Sequence, residues 1–256
     1  MYVVFTDLDG TLIDEHYEYG AASRLLAVLK ENNIPIIFCS AKTRAEQEAL
    51  RQDMEIADPF IVEEGSAVFI PRGHFPAVEG DVTDHYETII LGTAYKDIER
   101  KIRILRHQYT ITSYGTMTDE EVAQATGLSL EGARLAKERE FSETVVEADP
   151  GALEELKKHF NIVQGGQFIQ VFGPGTDKGK AVEHLTRRYR ASGEVTTIGV
   201  GNAANDEPML KSVDIPALVR NPDGHYADIT LPNLYRAQGV GPQGWAETMQ
   251  RFIGEG

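Results

Sequence analysis

The sequence predicts an α/β fold: a doubly wound parallel-sheet core interrupted by an inserted α+β domain. Three observations predict it. Short apolar runs alternate with helical stretches from the N-terminus to residue 62. The same alternation returns from residue 178 onward. Between them, residues 84–172 change character, with polar helices and separate strands. Continuous apolar strands separated by helices belong to parallel sheets covered on both faces.

The elements follow in order. Residues 3–6 (VVFT) are β-branched and aromatic, and they end in Asp7-Leu8-Asp9-Gly10, a strand running into a turn. Residues 19–32 carry Leu25, Leu26, Val28 and Leu29 on one helical side. The apolar run 34–39 is a second buried strand, Arg44–Asp53 a second helix and Phe60–Val62 a third strand. In the middle, 86–91 and 141–147 read as strands. Segments 118–126 and 129–140 read as polar helices behind Thr and Ser caps, 151–160 as a helix and Phe168–Phe172 as a strand. Helix 178–191, strand 195–200, a short helix near Pro208 behind the possible cap Asp206, strand 215–219 and helix 245–253 complete the chain. The crossings carry Pro76 and Gly80, then Gly173, Pro174 and Gly175. The expected division is a core of 1–83 and 173–256 and an insert of 84–172.

Composition narrows the function. The chain is 41% hydrophobic and 25% charged, an ordinary globular balance. Its net charge of −15 disfavours nucleic acid and anionic membrane surfaces. A phosphorylated small substrate stays compatible, because a cation can reverse the field inside one cleft. The single cysteine, Cys39, allows no internal disulfide, which fits a reducing cytoplasm. It follows Ile36, Ile37 and Phe38 and reads as a buried thiol. The N-terminus shows no signal-peptide pattern, and no apolar run approaches membrane-spanning length.

Parallel sheets bind ligands at the carboxyl ends of their strands. Four such ends are polar here. They are Asp7-x-Asp9, then Ser40 with Lys42, Thr43 and Arg44, then Thr176-Asp177-Lys178 at a helix start, then Gly201-Asn202 with Asn205-Asp206. Two acids at the mouth of a buried strand are costly unless a cation sits with them. Carboxylates, a hydroxyl, an ammonium and a Gly-rich turn together suit phosphoryl transfer.

In this order the four segments resemble the motifs of the haloacid dehalogenase-like phosphohydrolases, with DLDGT at 7–11 the most specific. The insert resembles that superfamily's sugar-phosphatase type of cap. FCSAKTRAE, PFIVEEGSAVFIP, ATGLSLEGARLAKEREF, GGQF at 165–168 and GPQGW at 241–245 are similar to mannosyl-3-phosphoglycerate phosphatases. The resemblance implies a HAD-like core and a cytoplasmic, Mg²⁺-dependent phosphatase. It would give mannosylglycerate, a compatible solute, with the glucosyl ester as the other candidate substrate. Asp7 would be the nucleophile and a metal ligand, and Asp9 the general acid and base with its carbonyl on Mg²⁺. Ser40 would bind a phosphoryl oxygen. Lys178 would hold Asp7 and the phosphate, and Asp206 would serve the metal. The family usually has Asp where this chain has Asn202, which can offer only an amide oxygen.

Further candidates for phosphate or substrate contact are Thr11, Lys42, Thr43, Arg44, Glu63, Arg139 and Gln167, with Glu140, Glu143, Gly165 and Gly166 nearby. Each has a plain alternative as a cap, a turn or a solvated salt bridge. Two rival functions remain. Gly199-x-Gly201-x-x-Ala204 matches a dinucleotide-binding turn, but Asn205-Asp206-Glu207-Pro208 delays the helix that such a turn requires. Asn202 also permits a sugar-phosphate-binding protein with weakened catalysis.

Overall fold

The computed structural model describes residues 1–165 and 167–254. β1 (Tyr2–Thr6), α1 (Ser23–Glu31), β2 (Ile36–Cys39), α2 (Arg44–Asp53) and β3 (Phe60–Val62) alternate as the sequence predicts. Next come β4 (Ala67–Pro71), β5 (Asp81–Val82) and β6 (Tyr86–Ile90). The insert holds α3 (Tyr95–Leu105), β7 (Ile111–Ser113), α4 (Asp119–Thr126), α5 (Leu130–Lys137), β8 (Ser142–Ala148), α6 (Pro150–Lys157), β9 (Asn161–Gly165) and β10 (Phe168–Phe172). The chain closes with α7 (Lys178–Arg190), β11 (Thr196–Gly201), α8 (Glu207–Lys211), β12 (Ile215–Arg220), β13 (Tyr235–Val240) and α9 (Pro242–Phe252).

Among the described residues the larger sheet has nine strands in the order β13-β12-β11-β1-β2-β3-β4-β6-β5. From β13 to β3 all pairings are parallel. β4, β6 and β5 extend the sheet antiparallel. Strand alternation explains why the parallel strands read as unbroken apolar runs. Val4, Phe38 and Phe60 join the core under α1 and α9 with Leu25, Leu29, Trp245 and Met249. Val3, Phe5, Ile37, Cys39 and Ile61 join the opposite core under α7 and α8 with Val182, Leu185 and Met209. Cys39 is buried with a free thiol.

The second sheet is antiparallel, β7-β8-β10-β9. Val145, Ile169 and Val171 point to one face, under α3 and α6. Val146 and Phe168 point to the other, against Tyr114 and the α4–α5 pair. The caps that start these helices are as expected. Thr118 forms a capping box with Glu121, and Ser129 accepts from Gly132 N.

Two expectations are corrected. Strand 86–91 was assigned to the insert, but Tyr86–Ile90 pairs with β4 in the larger sheet and extends the core. The expected cap role of Asp206 also fails: it sits at the N-cap of α8, but its side chain makes no capping bond. Its Oδ2 is turned back into the preceding loop.

The return from β3 to β4 is a tight bend. Glu63, Glu64 and Gly65 have φ of 49°, 60° and 85°, all in the left-handed region. Such conformations cost about 1–2 kcal/mol per non-Gly residue, so the surroundings must hold them. At Gly65 a Cβ would lie 2.2 Å from Asp177 O and 2.7 Å from Lys178 N. The bend therefore packs directly on the start of α7. We expect Gly65→Ala to lower stability by more than about 1 kcal/mol, because both conformation and space oppose a side chain. It should also lower kcat, since Lys178 is the residue displaced. A thermal melt beside steady-state kinetics checks both effects.

Candidate active site

The chain order reverses at β1, which lies between β11 and β2. Ligands in open α/β sheets bind outside the strand ends at such a point. Asp7 sits there, immediately after β1, and is 7% exposed. Trp245 of α9 helps to set its backbone. The indole Nε1 donates to Thr6 Oγ1 at 3.0 Å, and Thr6 Oγ1 donates to Asp7 O at 2.7 Å.

Lys178, the first residue of α7, is fully buried. Its Nζ donates to Asp7 Oδ1 and to Asp206 Oδ1, each at 2.7 Å. Burial works to lower the Lys178 ammonium, but Asp206, Asp7 and Glu64 outweigh it and hold the group well above the usual lysine range. Burial pushes the Asp7 carboxyl up to about 7, the Asp206 carboxylate adds to the rise, and Lys178 opposes both. Asp7 is thus poised between its two forms, and any further positive charge beside it favours the carboxylate.

The loop after β11 completes the floor. Asp206 Oδ2 accepts from Asn202 N and Ala203 N at 2.9 and 3.0 Å. With Lys178 on Oδ1 and no solvent exposure, Asp206 is consumed in holding this loop. Both of its oxygens are engaged within the protein, so it braces the loop. Thr11 is likewise buried and outside the cleft. Its hydroxyl donates to Asn202 Oδ1 at 3.0 Å and lies 3.4 Å from Asp7 Oδ2. It orients these two groups in place of the expected phosphate contact. Asn202 Nδ2 donates to Asn221 Oδ1 at 2.9 Å, which fixes the amide with its oxygen toward Thr11. Gly10 (φ 74°) leaves room for that amide, since a Cβ there would come within 2.5 Å of Nδ2.

Above this floor is a cavity between the two sheets. Asp7, Asp9, Ser40, Lys42 and Asn202 line it from the core. Arg139 and Gln167 line it from the insert, beside Tyr114 and Gln170. Gly166 lies outside the described residues. Lys42 Nζ is 3.0 Å from Asp9 Oδ1 and 3.5 Å from Glu46 Oε1. Burial works against the Lys42 charge, but Asp9 and Glu46 hold it well above the usual lysine range. Its ammonium also sits 4.8 Å from the centre of the Tyr17 ring. Tyr17, Glu46 and Gln170 line the cleft without having been expected, and Asn205 of the polar loop after β11 joins them.

Three further expectations are corrected. Thr43 caps α2 through a capping box with Glu46 and donates to Leu135 O at 2.8 Å. Arg44 Nε reaches Glu140 Oε1 at 2.8 Å, a half-exposed pair on the outer seam. Glu63 is fully buried, and its carboxylate accepts from Glu140 N, Phe141 N and Ser142 Oγ. None of the three lines the cleft, because each is spent on joining core and insert. Glu143 is buried inside the insert, accepting from Tyr95 Oη, Ser113 Oγ and Gly115 N.

Asp7 and the Asn202 amide oxygen offer hard oxygen donors on either side of the Thr11 hydroxyl. Among the described residues no cluster of three or more His, Cys, Asp or Glu suits a metal. A donor set of few oxygens fits Mg²⁺, which keeps several waters, and does not fit Zn²⁺.

The same order of elements is found in known proteins. Residues 4–225 match the family described as haloacid dehalogenase-like hydrolase. The chain belongs to the haloacid dehalogenase-like hydrolases. A relative from Methanococcoides burtonii is 42% identical, covering 99% of this chain and 98% of its own length. It is named glucosyl-3-phosphoglycerate/mannosyl-3-phosphoglycerate phosphatase. A relative named mannosyl-3-phosphoglycerate phosphatase, from Pyrococcus horikoshii, is 40% identical over 83% of this chain and 88% of its own. A crystal structure from Thermoplasma acidophilum has a TM-score of 0.73 at 16% identity, covering 99% and 98% of the two chains, and so shares the fold. The dinucleotide reading finds no support in this hydrolase, whose α8 opens only at Glu207.

Removing the central ammonium tests the floor. We expect Lys178→Ala to lower kcat by about 10²–10³, the loss typical of one preorganised charge donor. Two buried carboxylates left unpaired should also cost about 3 kcal/mol of stability. Kinetics and a thermal melt measured together separate the effects, and unchanged kinetics would leave Lys178 a structural strut only.

Proposed function

We propose that this hydrolase removes phosphate from mannosyl-3-phosphoglycerate, and from its glucosyl epimer, through an aspartyl-phosphate on Asp7 with Mg²⁺ bound. The observation that carries the reading is Asp7 at the switch point, held by Lys178 on one oxygen and facing the cleft. The names of the full-length relatives support the substrate, and two of them name both sugars.

The residues divide the work. The Ser40 hydroxyl, just after β2, and Lys42 offer donors to phosphoryl oxygens at the cleft floor. Arg139, Gln167 and Gln170 offer polar contacts to the remainder of the ester from above. A free Asp7 oxygen attacks phosphorus while the ester P–O bond breaks. Asp9, half exposed in the cleft, gives the leaving alkoxide its proton. Asp9 then takes a proton from water, whose oxygen attacks phosphorus. The acyl-phosphate bond breaks, restoring the Asp7 carboxylate and releasing inorganic phosphate. Asp7, the Asp9 carbonyl and Asn202 would hold Mg²⁺, which supplies positive charge for the phosphoryl oxygens. The 84–172 region acts as the cap that selects the ester and excludes water, with a junction near 91–93 in place of 84, because β6 belongs to the core sheet.

Asp7→Asn should lower kcat by at least about 10³, a barrier rise of about 4 kcal/mol, because an amide is a poor nucleophile toward phosphorus. Its melting temperature should stay level or rise, since a carboxylate crowded by Asp206 is removed. Phosphate release from the mannosyl and glucosyl esters, with and without Mg²⁺, is the assay. A wild-type protein inert toward both sinks the substrate reading.

Asn202→Asp should lower the Mg²⁺ concentration for half-maximal rate by about tenfold while changing the saturated rate less, because a carboxylate adds charge to a direct ligand. Titrating Mg²⁺ against rate for both forms checks it. An unchanged requirement would remove residue 202 from the metal site.

A further inference from the structure

We propose that Glu63 is a positioning residue: its buried carboxylate seats the 140–142 segment on the core and thereby sets Arg139 over the cleft. Selectivity for a large ester then depends on a side chain that touches no ligand.

Glu63 is 0% exposed. Oε1 accepts from Glu140 N at 2.9 Å, and Oε2 accepts from Phe141 N at 3.0 Å and Ser142 Oγ at 2.6 Å. Two of these donors belong to the link between α5 and β8, and the third, Ser142, opens β8. Arg139 immediately precedes them in the chain. Its Nη1 donates to Ala41 O at 2.7 Å, beside Ser40, and its side chain lines the cleft. The register of 140–142 on Glu63 therefore fixes where the Arg139 guanidinium starts from.

Two other side-chain ties across this seam are weaker in kind. Arg44 and Glu140 are both more than a third exposed, so water and salt screen them. Thr43 Oγ1 to Leu135 O is one neutral bond. Glu63 instead brings a full charge, buried, to three donors of the insert, and charge-assisted bonds are about twice as strong as neutral ones.

The backbone shows what this arrangement demands. Glu63 and Glu64 both adopt positive φ, and their carboxylates diverge. Glu63 takes the insert. Glu64 Oε1 accepts from Asn205 Nδ2 at 2.9 Å, and Asn205 lines the cleft from the loop after β11. Two adjacent non-glycine residues in the left-handed region persist only where the surroundings over-determine them. Here one side chain aims at the insert and the next at the catalytic loop.

The inference rests on the phosphatase reading above. The test compares wild type, Glu63→Gln and Ser142→Ala in the full chain with Mg²⁺. It measures kcat and KM for mannosyl-3-phosphoglycerate and for p-nitrophenyl phosphate, with a thermal melt of each protein. The small aryl ester needs the core floor but not the seated cap. Glu63→Gln should lower kcat/KM for the sugar ester by about tenfold, mostly through KM, as expected for losing one charge-assisted bond. The aryl ester should change by less than about twofold. Ser142→Ala should shift the same ratio in the same direction, by less. Parallel losses on both esters, or an unchanged ratio, overturn the inference while leaving the phosphatase reading intact. Ser142 Oγ also accepts from Arg139 Nη1 at 3.3 Å, so if Glu63→Gln fails to fold, Glu63→Asp, which keeps the charge but draws it back from the 140–142 donors, decides on the same ratio. Wild type inert toward the sugar ester overturns the substrate reading, and this inference with it.

Discussion

The Lys178 ammonium between Asp7 and Asp206 is the interaction on which the rest of the site depends. It is fully buried, and each N–O distance is 2.7 Å. A buried ammonium without partners would lose its charge, and two buried carboxylates without a cation would take up protons. Together the ammonium and the two acids offset part of that cost for one another. The arrangement also draws in three remote parts of the chain: the end of β1, the start of α7 and the loop after β11. Gly65 lets the β3–β4 bend press on α7, and Thr176 Oγ1 donates to Gly65 O at 2.8 Å, so the helix start cannot drift. The balance is still acidic, because Asp7, Asp9, Asp206, Glu46 and Glu64 face Lys178, Lys42 and Arg139. A phosphate ester approaching such a site meets net repulsion unless a cation comes with it. This is the physical case for a divalent ion, independent of any family resemblance.

What could be read from the sequence follows from where signals are local. The parallel strands were legible because burial on both faces favours apolar runs, as in 34–39. Asp7, Lys178 and Asn202 were legible because strand ends in such sheets carry chemistry. α3 was missed although Ile98, Ile102 and Leu105 have helical spacing, since charged residues between them mask the pattern. β13 was missed because it is an edge strand with a bulged register and polar neighbours. The placement of 86–91 failed for a different reason. Its alternation says strand, but nothing in it says which sheet.

Side-chain destinations were the least legible. Glu63, Thr43 and Arg44 lie beside the motif residues in sequence, and proximity suggested ligand contact. In space they point along the seam between core and insert, where polar groups must satisfy one another. Conversely, Gln170 reaches the cleft because β10 alternates: Ile169 and Val171 pack under α3 and α6, which leaves Phe168 and Gln170 facing the other way. That consequence could have been drawn from Phe168–Phe172 once its covered face was known, and not before.

Asn202 shows how one charge can trade stability against ion binding. A carboxylate at 202 would add a third acid beside Asp7 and Asp206, around a single buried ammonium. The amide avoids that repulsion and is held by two of its own bonds, one to Thr11 and one to Asn221. Asn221 is itself locked, since its Nδ2 donates to Asn202 O at 3.1 Å. Its oxygen is therefore committed to facing the Asn202 amide nitrogen. A carboxylate at 202 would meet that oxygen head-on until Asn221 turned over, which would give up the bond to Asn202 O. The chain has thus adapted its second layer to an amide. A cation held there would meet a dipole at 202 in place of a charge, and a substitution at 202 acts on Asn221 as well as on any such ion.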